Sequence, residues 1–156
     1  MSIRNAAKAI VIKDGKILLN KCRDEDNGDY YTLPGGGQNQ YETLHEALIR
    51  ECLEETGYTV IPVRLAALSE EISMSEEYRD KYSNYTHKIY YFFICKLSDV
   101  EAKEPTEKDS SQINSQWIDV DSLQHVRTLP NLLGKYVNGI LDNTVPVYLG
   151  SEYIDN

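Results

Sequence analysis

Cysteine is scarce in this chain, and what there is does not pair. Cys22, Cys52 and Cys95 are odd in number and widely spaced. They form neither a disulfide framework nor a Cys-rich metal-ligand pattern, so a reducing compartment is expected. Long apolar runs are missing too: none approaches the roughly 20 residues of a membrane-spanning helix. The first residues, MSIRNAAKAIVIK, lead straight into a strand pattern and lack a secretory apolar core and cleavage site. A cytoplasmic location, with no membrane partner, is the expectation. Basic residues are few: 16 Lys and Arg face 25 Asp and Glu, a formal charge of −9. That balance argues against a general nucleic-acid or anionic-membrane surface. Repeats, low-complexity tracts and linkers are also lacking. The 156 residues, 26% charged and 41% hydrophobic, fit one domain over 1–156 with a real core.

Carboxylates, by contrast, are concentrated. Residues 50–57 read Arg50-Glu51-Cys52-Leu53-Glu54-Glu55-Thr56-Gly57. On a helix, Glu51, Glu54 and Glu55 stand at i, i+3 and i+4 and share one face and its edge. Such like charges repel, and a divalent cation with oxygen ligands is the simplest reason to keep them together. The helix is well marked. Thr43 and Glu46 form a capping box at its start, and Gly57 supplies a left-handed residue at its end. Leu44, Leu48, Ile49, Cys52 and Leu53 form an apolar arc, with the glutamates on its flank. The helix should therefore pack on a sheet with its carboxylates at the rim of a cleft. Just upstream, Pro34-Gly35-Gly36-Gly37 reads as a special backbone turn that brings amides and carbonyls close to a ligand.

Gly36, Glu42, Arg50, Glu51, Cys52, Glu54, Glu55, Gly57 and Tyr58 fill the spacing Gly, five residues, Glu, seven residues, Arg-Glu, apolar, any, Glu-Glu, any, Gly, apolar. This pattern resembles the signature of the Nudix hydrolases. Every charged and glycine position matches. Cys52 and Tyr58 depart mildly from the usual aliphatics, and Tyr41 stands where many members have glycine. The flanking strands and Trp117 also look like that family.

The resemblance implies an α/β/α sandwich around a mixed β-sheet, in the α/β (α+β) class. It implies a Mg²⁺-dependent enzyme, with Mn²⁺ as an alternative, hydrolysing a nucleoside diphosphate linked to another moiety by water attack on phosphorus. Carried over position by position, Glu51, Glu54 and Glu55 would bind the metal, with the Gly35 carbonyl as a further ligand. Glu42 would organise metal or water, Gly36 and Gly37 would shape the loop, and Arg50 would orient the carboxylates. The general base stays open between Glu54 and Glu55, or a later-loop acid among Glu101, Glu104 and Glu107. The stretch Gln112 to Gln116 before Trp117 holds no acid, although many relatives carry one there. Lys21 and Arg23 are candidate phosphate-binding bases. Tyr82, with Tyr78 and Tyr85, is a candidate for stacking on a nucleobase, whereas Tyr90, Tyr91 and His87 read as ordinary packing or surface residues. The PGGGQ and RECLEETG stretches resemble members grouped with ADP-ribose pyrophosphatases, which makes ADP-ribose the first substrate candidate. A nucleotide-pool hydrolase of modified triphosphates is the second reading, and a non-catalytic nucleotide sensor a third. A small-molecule nucleotide is the expected partner. The family also raises a homodimer, for which the sequence supplies no signature.

The rest of the pattern predicts strands over Ala6–Ile12 and Lys16–Lys21, a polar loop over Arg23–Asp29, and a short strand over Tyr30–Leu33. A long strand over Tyr58–Ile72, bent near Pro62, precedes a polar loop over Ser73–Tyr85. A buried strand over His87–Leu97 and a charged loop over Ser98–Ser111 follow. A short strand over Gln116–Val120 and a helix over Leu129–Leu141 end the pattern.

Overall fold

The computed structural model describes residues 2–155. Strand β1 (Arg4–Lys13) alternates cleanly: Ala6 and Ile10 face one buried cluster, and Ala7, Ala9 and Val11 face another. Alternation with both sides buried is the mark of a central strand covered on two faces. Strand β5 (His87–Leu97) does the same, sending Tyr90 and Phe92 one way and Phe93 and Cys95 the other. β1 pairs with β5 in parallel and meets β2 (Lys16–Asp24) at the Asp14-Gly15 turn.

The strand order runs β7–β3–β2–β1–β5–β4–β8, with β6 (Gln112–Asp119) added to β2. β3 is Gly28–Thr32, β4 Val60–Ser73, β7 Thr128–Leu129 and β8 Tyr148–Ile154. Three pairs are parallel (β1 with β5, β3 with β7, β4 with β8) and the others antiparallel, so the sheet is mixed. Helix α1 (Leu44–Thr56) covers one face through Leu48 and Cys52. A 3₁₀ turn (Val120–His125) and a C-terminal helix (Leu132–Leu141) cover the other through Leu123, Leu133, Val137 and Ile140. The sandwich is the expected one. Each fully buried Leu, Ile or Phe in these two layers contributes roughly 1.5–3 kcal/mol. Among the described residues no helix is long and apolar enough to cross a membrane.

Several boundaries move, each for a local reason. The polar loop expected at Arg23–Asp29 is a tight hairpin instead. The Asp24 carboxylate accepts from the amides of Asp26 and Asn27 and closes the turn, so Arg23 stays in β2 and Asp29 in β3. The loop expected at Ser73–Tyr85 contains a short helix, α2 (Glu76–Lys81), whose N-cap is the Ser75 hydroxyl. β6 begins four residues early because Gln112 already pairs with Cys22. The C-terminal helix, α3, starts at Leu132 because Pro130 cannot be its interior. β4 bends where the pattern suggested, with register shifts between Pro62 and Arg64 and between Leu65 and Ala67.

One residue works against stability. Tyr41 holds φ 68 and its side chain is 97% exposed, in the turn closed by the Glu42 amide on the Asn39 carbonyl. A left-handed backbone costs a non-glycine residue about 1–2 kcal/mol, and this ring recovers almost nothing by burial. Tyr41→Gly should therefore raise stability by about 0.5–1 kcal/mol after the loss of backbone entropy is set against the relief. A thermal melt with a midpoint unchanged or lowered would show that the turn is unstrained.

Candidate active site

The glycine loop is an extra edge on β1. The Ala7 amide donates to the Gly36 carbonyl at 2.9 Å, the Ala9 amide to the Pro34 carbonyl at 2.9 Å, and the Gln38 amide to the Asn5 carbonyl at 3.0 Å. No side chain fits there. A Cβ on Gly35, which has φ 116, would strike the Ala7 carbonyl oxygen, and one on Gly36 would lie 2.6 Å from the Glu51 carboxyl carbon. One on Gly37 would strike the Arg4 guanidinium. The loop is thereby pinned between β1 and the start of α1.

Helix α1 is fastened at both ends as its sequence predicts. The Thr43 hydroxyl accepts from the Glu46 amide at 3.2 Å, while the Glu46 carboxylate accepts from the Thr43 amide at 2.8 Å. Gly57 turns left-handed at φ 75 and its amide closes on the Leu53 carbonyl. Residues 98–111 then dock on this end: the Thr106 and Glu107 amides donate to the Glu54 carbonyl, and the Lys103 amide to the Gly57 carbonyl.

Arg50 is the hub of the carboxylates. Its guanidinium takes Glu42 in two bonds, Nε to Oε1 at 2.7 Å and Nη2 to Oε2 at 3.0 Å. Nη1 reaches Glu51 at 2.8 Å and Glu54 at 3.2 Å, and Nη2 also donates to the Gly37 carbonyl at 3.0 Å. The bonds from Arg50 hold the Glu42 carboxyl below its ordinary range, and the same bonds raise the Arg50 value further. One guanidinium thus ties Glu42, Glu51 and Glu54 to the glycine loop.

Glu55 is treated differently. It is 5% exposed, and one oxygen, Oε2, accepts from the Gly35 amide at 2.9 Å and from Asn20 Nδ2 at 2.8 Å. Burial pushes its pKa up from 4.5 to about 7, against the pull of the Lys8 ammonium and the Gly35 amide. The Lys8 ammonium itself donates to the Leu33 carbonyl at 3.3 Å and to the Gly35 carbonyl. Ser115 donates to Asn20 Oδ1 at 2.8 Å, and Gln112 Nε2 to the Glu55 carbonyl at 3.0 Å. The acid-free stretch before Trp117 thus supplies neutral struts to Glu55. Asn20, Lys8, Gln112 and Ser115 were not legible as site residues; a buried Asn and a lone Lys inside strand patterns were the only signals.

Other expected residues lie elsewhere. Lys21 is on the side of β2 that carries Ile17 and Leu19, opposite Asn20, and faces Tyr31 across the ladder. Arg23 is ion-paired to Asp29 in the hairpin. Tyr82 ends α2 with its ring 4.8 Å from that of Tyr78 and under the Lys81 ammonium. Tyr85 lies under the Arg4 guanidinium at 4.8 Å, and that guanidinium abuts Gly37. In the 98–111 loop Glu101, Glu104 and Glu107 are exposed, and Asp109 is the acid whose charge acts on Glu55. His87 pairs with Glu70 at 2.7 Å.

Among the described residues no three acidic, His or Cys side chains converge tightly enough to hold an ion as they stand. The donors nevertheless fit a hard divalent cation: carboxylate and carbonyl oxygens only, with Arg50 and Lys8 placing positive charge on Glu51, Glu54 and the Gly35 carbonyl. Such a set can coordinate a cation once those side chains turn.

A family profile described as the NUDIX domain matches residues 3–137. The chain is 29% identical over 128 residues to a putative nudix hydrolase 1 of Caenorhabditis elegans, across 79% of this chain and 31% of that protein. It is 44% identical over 52 residues to an ADP-ribose pyrophosphatase of Methanocaldococcus jannaschii, across 33% of this chain and 31% of that one. These matches thus span about a third of each relative's length. Two solved structures share the fold. A UDP-X diphosphatase does so with TM-score 0.68 and 18% identity, covering 97% of this chain and 68% of that one. An ADP-ribose pyrophosphatase from Streptococcus suis does so with TM-score 0.62 and 19% identity, covering 98% and 100%.

Two outcomes follow from this geometry. Without metal, the proton on Glu55 stabilises the fold fully below pH 4.5, and that contribution is lost as pH rises through about 7. In chelator, Glu55→Gln should therefore gain on wild type by on the order of 3 kcal/mol between pH 5 and pH 8. Denaturant melts at the two pH values check it, and a difference independent of pH would refute the burial of a titrating carboxyl. The glycines should separate fold from chemistry. Gly36→Ala should keep its melting temperature yet lose activity by displacing Glu51, whereas Gly35→Ala should lose stability outright, since its obstacle is backbone.

Proposed function

The chain belongs to the Nudix hydrolase family, and on that premise we propose that it hydrolyses the diphosphate of a nucleoside diphosphate linked to another moiety, with ADP-ribose as the first candidate. The observation that carries the reading is the array of Glu51, Glu54 and Glu55 on one flank of α1, beside a side-chain-free loop held on β1. The ADP-ribose assignment is supported by the likeness to the Methanocaldococcus jannaschii protein over the segment it matches.

Glu51, Glu54, Glu55 and the Gly35 carbonyl would hold Mg²⁺ or Mn²⁺. When bound, the metal neutralises the diphosphate and acidifies water. The chain's own residues do the rest. Arg50 fixes Glu51 and Glu54 in register with Glu42. Asn20 and the Gly35 amide fix one oxygen of Glu55, which directs the other toward the cleft. With one oxygen held by two donors and the other left to meet water, Glu55 is favoured over Glu54 as the acceptor of the proton from the attacking water. Water adds to phosphorus, the bridging oxygen leaves with the sugar phosphate, and AMP and ribose 5-phosphate are the products from ADP-ribose.

The test is a substrate panel with Mg²⁺ and with chelator, reading products by mass. Metal-dependent release of AMP and ribose 5-phosphate is expected, with Glu55→Gln slower by about 100-fold or more. Preference for a modified nucleoside triphosphate would move the protein to nucleotide-pool hydrolysis. Tight binding without turnover would make it a sensor.

A further inference from the structure

A lysine in the middle of β1 is out of keeping with its neighbours. Ala7, Ala9, Ile10 and Val11 are essentially without solvent contact, yet Lys8 sits among them. The side chain is half-buried and its ammonium is anchored on two loop carbonyls, Leu33 and Gly35. A lysine tail needs a reason to be ordered there, since fixing it costs rotamer freedom. The second of those carbonyls lies one residue before the first signature glycine, and its amide holds Glu55.

We propose that Lys8 is a built-in counter-ion that competes with the cation for the Gly35 carbonyl and, once displaced, turns its ammonium to the phosphate chain. This rests on the pyrophosphohydrolase reading and names a positioning residue for it. The reasoning is electrostatic. In the metal-free protein the ammonium sets its positive charge on the Gly35 carbonyl, close enough to act on Glu55, in a chain of charge −9. A divalent cation and an ammonium on the same carbonyl oxygen would stand within a few ångströms of each other and repel. The lysine must then swing away on its flexible stem, and the nearest new anion in the cleft is the diphosphate itself. Strand alternation puts Arg4 on the same side of β1, with its guanidinium against Gly37. Arg4 and Lys8 thus flank the glycine loop from one strand. Metal and substrate binding become coupled: the cation frees the lysine, and the substrate rewards its release.

The experiment counts free Mn²⁺ by electron paramagnetic resonance, without substrate, for wild type, Lys8→Met and Lys8→Gln. The Met variant removes charge and hydrogen bond alike; the Gln variant keeps a donor for the carbonyl. If Lys8 competes, both should bind Mn²⁺ more tightly than wild type, by about tenfold for Met. At saturating Mn²⁺ the same variants should show KM for ADP-ribose raised about tenfold or more, with melting temperatures in chelator close to wild type. Unchanged or weaker Mn²⁺ binding in both variants would overturn the proposal, because Lys8 would then merely brace the loop. Wild type that binds Mn²⁺ but turns over none of the panel leaves the competition standing while sinking the hydrolase reading. Wild type that binds no Mn²⁺ would sink both.

Discussion

Negative charge crowded at the rim of one helix is the constraint from which the rest of this structure follows. Glu42, Glu51, Glu54 and Glu55 cannot share that rim in water-poor surroundings unless something positive or hydrogen-bond-donating meets each one. The fold answers in two ways. Three of the four are gathered by a single guanidinium, whose planar fork can serve several oxygens at once. The fourth is driven inward, where burial would hold it protonated, and is met by a backbone amide and a buried asparagine amide. The two answers differ in consequence. The half-buried three are held together by ion pairs to one guanidinium. Glu55 is locked by one oxygen, and its burial pushes its pKa up to about 7.

The glycine loop is what makes this division possible. It runs along β1 as a short, hydrogen-bonded edge, so its amides and carbonyls point in fixed directions. Any Cβ at Gly36 would occupy the space of the Glu51 carboxylate, and any at Gly37 that of the Arg4 guanidinium. Side chains reach over the loop from both sides only because the loop has none. Gly35 is a point where helix, loop and β1 meet: its amide holds Glu55 and its carbonyl anchors Lys8.

Much of this was legible in the sequence, and the division has a physical basis. The box helix, its caps and its carboxylate flank are local features, written in residues at most a few turns apart. The central strands were equally plain, since a strand buried on both faces reads as a continuous apolar run. What escaped depends on contacts between residues distant in sequence. Asn20 reaches Glu55 across 35 residues and Ser115 reaches Asn20 across 95. No spacing rule connects them. The hairpin at Asp24 was missed for a different reason: a polar cluster signals a turn but not how tight, and here one carboxylate closes it within three residues. Helix α2 was missed because six polar residues lack the apolar periodicity that announces a helix.

The basic residues depend most on tertiary contacts. Lys21 and Arg23 are candidates because they follow the second strand, where some members of the family place a phosphate-binding base. Strand direction, though, does not decide which side a residue faces; parity does. Lys21 differs from Asn20 by one position, and that single step turns it away from Glu55. Lys8 and Arg4 differ by four, so both face alike, on the Ala6 and Ile10 side of the sheet that Lys21 shares with Ile17 and Leu19; what sets Lys8 apart is the loop returning from β3, which lies along its strand and offers it the Gly35 carbonyl. The basic charge available to an anionic substrate in this acidic protein is thus set by the register between β1 and the glycine loop. A shift of one residue there would bury Lys8 against α1 and leave the Gly35 carbonyl without a counter-charge.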